Sequence, residues 1–282
     1  MILYANGDSF VAGVELADDL LPGHPGYLPY FATNAERDKN RQWIDKTYDL
    51  KHPYGREREQ KRKLLNKMEY ERSFPTKLAR LLGCDHINRA QGGSSLDRIA
   101  RTTLADLIEL KEQDKDITAV IGTTCPSRSE ISTPFGFSYD VDETGFRMTW
   151  DQISTTFLAG HHNEGSITAM IQYRIEHDKN YHQMVTAFKN IILISDFCKL
   201  HDIRLYWVAN NIDILNQVEV EKELEDCKDY QMLRQYCDLH YTTDMAKIAS
   251  GMQSKDVLCP ALHYSEKVHV ETAFDLFSKI AC

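Results

Sequence analysis

The sequence predicts an α/β protein, a parallel sheet with amphipathic helices packed against it. Three observations carry this. Short apolar runs alternate along the chain with segments whose apolar residues recur at helical spacing. A length of 282 residues leaves ample room for one buried core. The composition, 42 % hydrophobic and 27 % charged with 8 Pro and 14 Gly, excludes a collagen-like, coiled-coil or mostly disordered chain.

Residues 1–6 read as a first buried strand that stops at Gly7. Residues 85–89 are a weaker second strand, and Ile117 to Gly122 a clear third. Ile203 to Ala209 is a fourth, rich in β-branched and aromatic residues. The helix expected after the second strand carries Leu96, Ile99, Ala100, Leu104, Leu107 and Ile108 on one stripe, and Ser94 with Asp97 resembles a capping box at its start. A helix from about 182 to 200 places Val185, Phe188, Ile191 and Ile192 near one face. The last, from about 266, does so with Val270, Ala273, Phe274 and Phe277. Each can cover one face of a sheet.

One domain spanning 1–282 is expected, with two insertions. Residues 36–72 hold 12 Lys/Arg and 8 Asp/Glu, a local +4 in a chain of net charge −9. They read as a solvated, ion-paired helical insertion, with a basic docking surface as the alternative. Residues 126–180 place Pro126, Pro134, Gly136, Gly145, Gly160 and Gly165 between short aromatic pieces and read as a loop-rich insertion of the kind that forms lids.

The net charge of −9 repels phosphate backbones and anionic membranes, so no nucleic-acid partner is expected. Seven cysteines, odd in number, scattered and without a CxxC pair, read as reduced thiols of a cytoplasmic protein. Residues 1–8 lack the basic and apolar regions of a signal peptide, and no run of about 18 apolar residues exists, so no membrane association is expected. Adjacent His161 and His162 lack a helical HExxH spacing, and neither a metal nor any other cofactor is expected.

Three segments carry candidate chemistry. Gly7-Asp8-Ser9-Phe10 ends the first strand, where open α/β sheets bind ligands, and makes Ser9 a candidate nucleophile; a turn with a helix N-cap explains the same residues. Gly92 and Gly93 follow the second strand and bring backbone N–H groups near the sheet edge, where they can bind an oxyanion or simply form a turn. His263 precedes the last helix and is a candidate general base for Ser9.

These segments, in this order, resemble the SGNH/GDSL hydrolases, whose blocks are a Gly-Asp-Ser after strand one, a Gly after strand two, a Gly-x-Asn-Asp after strand three and an Asp-x-x-His before the final helix. The resemblance implies a three-layer α/β/α sandwich with a flavodoxin-like strand order, Ser9 as nucleophile, His263 as base, and an oxyanion hole from Ser9, Gly93 and the third block. Two blocks depart from the pattern. Gly122-Thr123-Thr124-Cys125 puts Thr124 in place of the asparagine, a shorter donor, and Pro260 stands three residues before His263 where the orienting aspartate belongs. Glu130 or, less favoured, Asp256 is the expected substitute carboxylate. Thr124 to Glu130 also resembles GDSL-type proteins of tailed bacteriophages, which makes Asp8, Arg128 and Glu130 auxiliary candidates and implies a host-cytoplasm or virion location. His269 falls where the family has a second, non-catalytic histidine. The function implied is hydrolysis of a small-molecule or glycan ester through a Ser-His dyad, with a catalytically silent binding protein of the same fold as the alternative.

Overall fold

In a computed structural model of the chain, β1 (Ile2–Asn6), β2 (Asp85–Asn88), β3 (Ile117–Gly122), β6 (Arg204–Ala209) and β7 (Tyr241–Asp244) form one sheet in the order β2-β1-β3-β6-β7. The residues described are 1–49, 51–126, 128–132, 150–154, 180–210, 226–237, 239–252, 256–260 and 262–281, with Ile214, Leu224 and Ser254 as isolated positions. Every pairing in the sheet is parallel. Taken in chain order this is a 2-1-3-4-5 sheet, the flavodoxin-like order.

The period-two alternation of β1 and β3 sends side chains to two separate cores. Tyr4, Ala119, Ile121 and Trp207 face α5 (Leu96–Glu112), α6 (Asn180–Leu200) and α7 (Lys228–Tyr236), where Ile99, Leu107, Phe188, Ile191 and Tyr230 are buried. Leu3, Ala5, Val120 and Val208 face the other layer: α1 (Ser9–Ala12), α4 (Phe74–Leu82), α8 (Met245–Gly251) and α9 (Glu266–Ile280). Burying one such large apolar side chain stabilises the fold by about 1.5–3 kcal/mol.

The remaining helices, α2 (Asn34–Tyr48) and α3 (Pro53–Arg72), make up most of the charged insertion. Thr33 and Glu36 close a capping box at the start of α2. Trp43 and Leu65 from this pair enclose Ala17 and Leu21 in a small third core, and the Trp43 indole donates to the carbonyl of Pro22 at 3.1 Å.

Several elements differ from the sequence expectation. The N-cap of α5 is Ser95, which accepts from Arg98 N–H at 3.2 Å, while the Ser94 hydroxyl turns back to the carbonyl of Gln91 at 2.8 Å. Two residues can cap here, and the turn at Gln91 selects the second. The fifth sheet strand, β7, escaped the reading because its four residues Tyr-Thr-Thr-Asp contain no apolar run. Most of the 126–180 insertion, with His161 and His162, lies outside the described residues; the parts described are β4 (Arg128–Ser132) and β5 (Trp150–Ser154), an antiparallel pair. Among the described residues no helix is long and apolar enough to cross a membrane.

Candidate active site

The C-terminal ends of β1, β3 and β6 converge on one buried carboxylate. β1 turns directly into α1, and a side chain at Gly7 or at Gly122 would run into Val11, so the turn demands glycine at both. Asp8 caps α1, accepting from Phe10 N–H at 3.1 Å. Its other donors come from across the sheet: Asn210 Nδ2 to Oδ1 at 2.9 Å, Thr124 Oγ1 to Oδ2 at 2.9 Å and Arg128 Nη1 to Oδ2 at 3.2 Å. Burial pushes the Asp8 carboxyl above its ordinary value; the Arg128 charge and the hydrogen bonds from Phe10 and Thr124 recover part of that cost.

Ser9 follows as the first residue of α1 and is 6 % exposed. Among the described residues its N–H and those of Gly92 and Gly93 have no acceptor. Gly92 is the glycine packed toward Ser9, since a Cβ there would sit 3.9 Å from Ser9 Cβ; Gly93 lies in open space at φ +79°. Asn88 ties this turn to α1, donating to the carbonyl of Val11 at 3.4 Å while accepting from Ala90 N–H at 3.1 Å.

Thr124, expected as an oxyanion donor, gives its one hydroxyl proton to Asp8 and accepts from Arg128 Nη1 at 2.9 Å. The single proton of the hydroxyl is thereby committed. Arg128 joins the same cluster, and Cys125 is half-buried beside it. Asn210, not foreseen, donates to Asp8 and to the carbonyl of Thr123 at 2.6 Å while its Oδ1 is buried without a donor. The signal that marks it is its position, one residue beyond the C-terminal end of β6.

His263 packs on the turn that carries Ser9, its ring 5.1 Å from that of Phe10, on a loop pinned by Cys259 N–H donating to the His263 carbonyl at 2.7 Å. Its Nδ1 stands 3.2 Å from Oε1 of Glu15, within ion-pair distance but off the line of a well-formed hydrogen bond. Glu15 is 4 % exposed and is the carboxylate that sequence reasoning missed. Nothing marks it in the sequence except a lone acid inside the apolar run from Phe10 to Ala17. Burial alone would lower the pKa of His263, but the Glu15 contact, with the further charges of Asp8 and Glu69, outweighs it and holds the imidazole above its ordinary value.

The two carboxylates expected beside His263 fare differently. Asp256 is half exposed and pairs with Lys267 Nζ at 2.8 Å, leaving only its backbone carbonyl near the helix start, where it accepts from Ser265 Oγ at 2.6 Å. Glu130 lies in β4 opposite Gln152, and its side chain falls outside the described residues. His269 is fully buried against Phe74 and accepts from Phe74 N–H at Nδ1, 3.0 Å, which serves the start of α4 where Ser73 makes no cap. Burial pushes its pKa down to about 3, so it is a neutral structural residue. No group of His, Cys, Asp and Glu among the described residues is placed to hold a metal ion.

No family model matches the chain, and no curated protein matches it. Among solved structures it is similar to a protein of the G-D-S-L family from Desulfitobacterium hafniense DCB-2, at 10 % identity and a TM-score of 0.45 over 98 % of each chain. It is also similar to a carbohydrate esterase family 2 enzyme with its carbohydrate binding domain from Corynascus thermopiles, at 13 % identity and 0.44 over 99 % of this chain and 65 % of that one. An acetyl xylan esterase from the rumen bacterium Butyrivibrio proteoclasticus stands at 10 % identity and 0.43, over 99 % of this chain and 63 % of its own. The structural neighbours are thus SGNH/GDSL hydrolases and carbohydrate esterases.

Proposed function

We propose that the chain is a serine hydrolase that cleaves a small acyl ester, with Ser9 as nucleophile, His263 as general base and Glu15 orienting the imidazole. The observation that supports this best is the Glu15 carboxylate 3.2 Å from His263 Nδ1, on a histidine that packs against the residue following Ser9. A carboxylate at Nδ1 favours the tautomer with its proton there, which leaves Nε2 free to accept. In the proposed reaction Nε2 takes the Ser9 hydroxyl proton as Oγ attacks the ester carbonyl. The oxyanion is received by the backbone N–H groups of Ser9 and the Gly92-Gly93 turn. The imidazolium then protonates the departing alcohol, and water activated by the same nitrogen releases the acid from the acyl-enzyme. An O-acetyl group on a carbohydrate is the substrate class that the family resemblance suggests.

A catalytically silent binding protein remains a second reading, favoured by one observation: Thr124 and Arg128 are both tied to Asp8, so neither stands in for the family's asparagine at the oxyanion. Labelling with a fluorophosphonate probe separates the two. A Ser9-dependent adduct, absent in folded Ser9→Ala, is expected; no adduct on the folded parent would refute the hydrolase. The phage-type origin, and a place in the host cytoplasm or virion, belong to the same proposal and are tested by the genomic neighbourhood of the gene.

A further inference from the structure

Glu69 sits in the last turn of α3, far along the chain from every segment of the site, yet it is only 8 % exposed. On a helix rich in solvated charge, burying a carboxylate costs stability unless something is held by it. What Glu69 holds is Glu15: the Glu15 N–H donates to Glu69 Oε1 at 2.9 Å. That residue needs holding, because it lies at φ +74°, a left-handed conformation that costs a non-glycine residue on the order of 1 kcal/mol.

The same helix grips the segment around Glu15 at further points. Arg72 Nη1 donates to the carbonyl of Leu16 at 2.6 Å and to Asp19 Oδ1 at 2.8 Å, and Arg58 Nε stands 3.6 Å from Asp18 Oδ1. Gly13 lies so close to α3 that a Cβ there would meet the Glu69 carbonyl at 2.9 Å. We infer that Glu69 is a positioning residue for the site: the charged insertion is a clamp, and its Glu69 fixes the Glu15 backbone so that the Glu15 carboxylate meets His263. This rests on reading Glu15 as the orienting carboxylate.

The groups that face Glu69 are Glu15 and Asp18 from the segment after α1, Arg58 from its own helix, and Cys259 and His263 from the loop before α9. Burial pushes the Glu69 carboxyl up to about 7. The positioning role does not need the charge, since the carbonyl oxygen of a neutral acid or of an amide still accepts an N–H. Glutamine can therefore replace it, and a side chain with no acceptor cannot.

The test is a double-mutant cycle read on the free protein by NMR titration of the His263 imidazole, with Glu15→Gln made in the parent, in Glu69→Met and in Glu69→Gln. In the parent, Glu15→Gln is expected to lower the His263 midpoint. In the Glu69→Met background that response should fall to less than half, and in Glu69→Gln it should be retained. A full response in folded Glu69→Met overturns the inference, because a merely structural role lowers stability without uncoupling the pair. Should Glu69→Met fail to fold, loss of the response in Glu69→Gln overturns it equally, the acceptor being still present. Turnover of p-nitrophenyl acetate provides the second reading: a displacement of this kind is expected to lower kcat/KM in Glu69→Met by about 10- to 100-fold. If the parent hydrolyses nothing, the hydrolase proposal fails while the NMR cycle still decides the positioning role.

Discussion

Replacing Glu69 by glutamine should make the protein more stable than its parent at high pH, by an amount that disappears on acidification. The carboxyl titrates at 4.5 when free and is pushed to about 7 in the fold, chiefly by burial, with Asp18 and Glu15 raising it and Glu15 N–H and Arg58 lowering it. A raised carboxylate means that the folded chain keeps a proton the unfolded chain has released. Parent stability is therefore fully present below the unfolded value and is lost as pH rises through the folded one. Each unit of difference is worth about 1.4 kcal/mol, so between about pH 5 and about pH 8.5 the parent should lose ~2–3 kcal/mol that Glu69→Gln does not. The group is buried enough that solvent screening removes little of this. Urea unfolding of both proteins at four pH values across that range measures it. A difference in unfolding free energy that stays constant with pH would refute the reasoning, since it would mean that Glu69 is ionised throughout.

Three other outcomes follow from the site. The acid limb of kcat/KM should lie above the ordinary histidine value of 6.5, because the raised His263 must lose its proton to act as base, and Glu15→Gln should move that limb to lower pH. Glu15→Gln should also cost far more turnover than Asp256→Asn, whose carboxylate faces Lys267 and solvent; equal losses would remove Glu15 from the mechanism. His269, with its folded pKa depressed to about 3, contributes stability present above the unfolded value of 6.5 and lost as pH falls below it, so His269→Leu, which has no acceptor, should flatten the acid arm of the stability profile while destabilising the protein by about 1–3 kcal/mol at neutral pH through the lost Phe74 N–H acceptor.

The parts of this fold legible in the sequence are those whose residues carry their own period. β3, Ile117–Gly122, coincides with the apolar run that marked it, and α9 begins at Glu266 where its stripe does. β7 is polar because it is an edge strand paired only with β6, and such a strand needs no apolar run. Ser9 and His263 were named from blocks that precede or follow elements, where position and residue type coincide. Glu15 was not, because its role depends on a left-handed backbone at a non-glycine residue and on a partner 54 residues away, and neither leaves a local pattern. For the charged insertion, counts of Lys, Arg, Asp and Glu describe a helix on average, while Glu69, Arg58 and Arg72 each meet a particular atom of the segment after α1, which no count records.

The two departures from the family blocks then have different consequences. At the last block Pro260 stands where the family carries its carboxylate, and Glu15 comes within 3.2 Å of the same histidine, which in the proposed mechanism relocates the orienting charge. At the third block Thr124, Arg128 and Asn210 all donate to Asp8 and knit the ends of β1, β3 and β6 around it. In the proposed mechanism, the N–H and O–H groups committed to Asp8 are not available to an oxyanion formed at Ser9. On that mechanism, an oxyanion without the side-chain donor forfeits a factor of about 10²–10³ in rate. The backbone N–H groups of Ser9 and the Gly92-Gly93 turn must carry the rest. This arrangement suits an ester with a good leaving group better than an amide, because the less of the tetrahedral charge a site can hold, the more the alcohol must help by departing early.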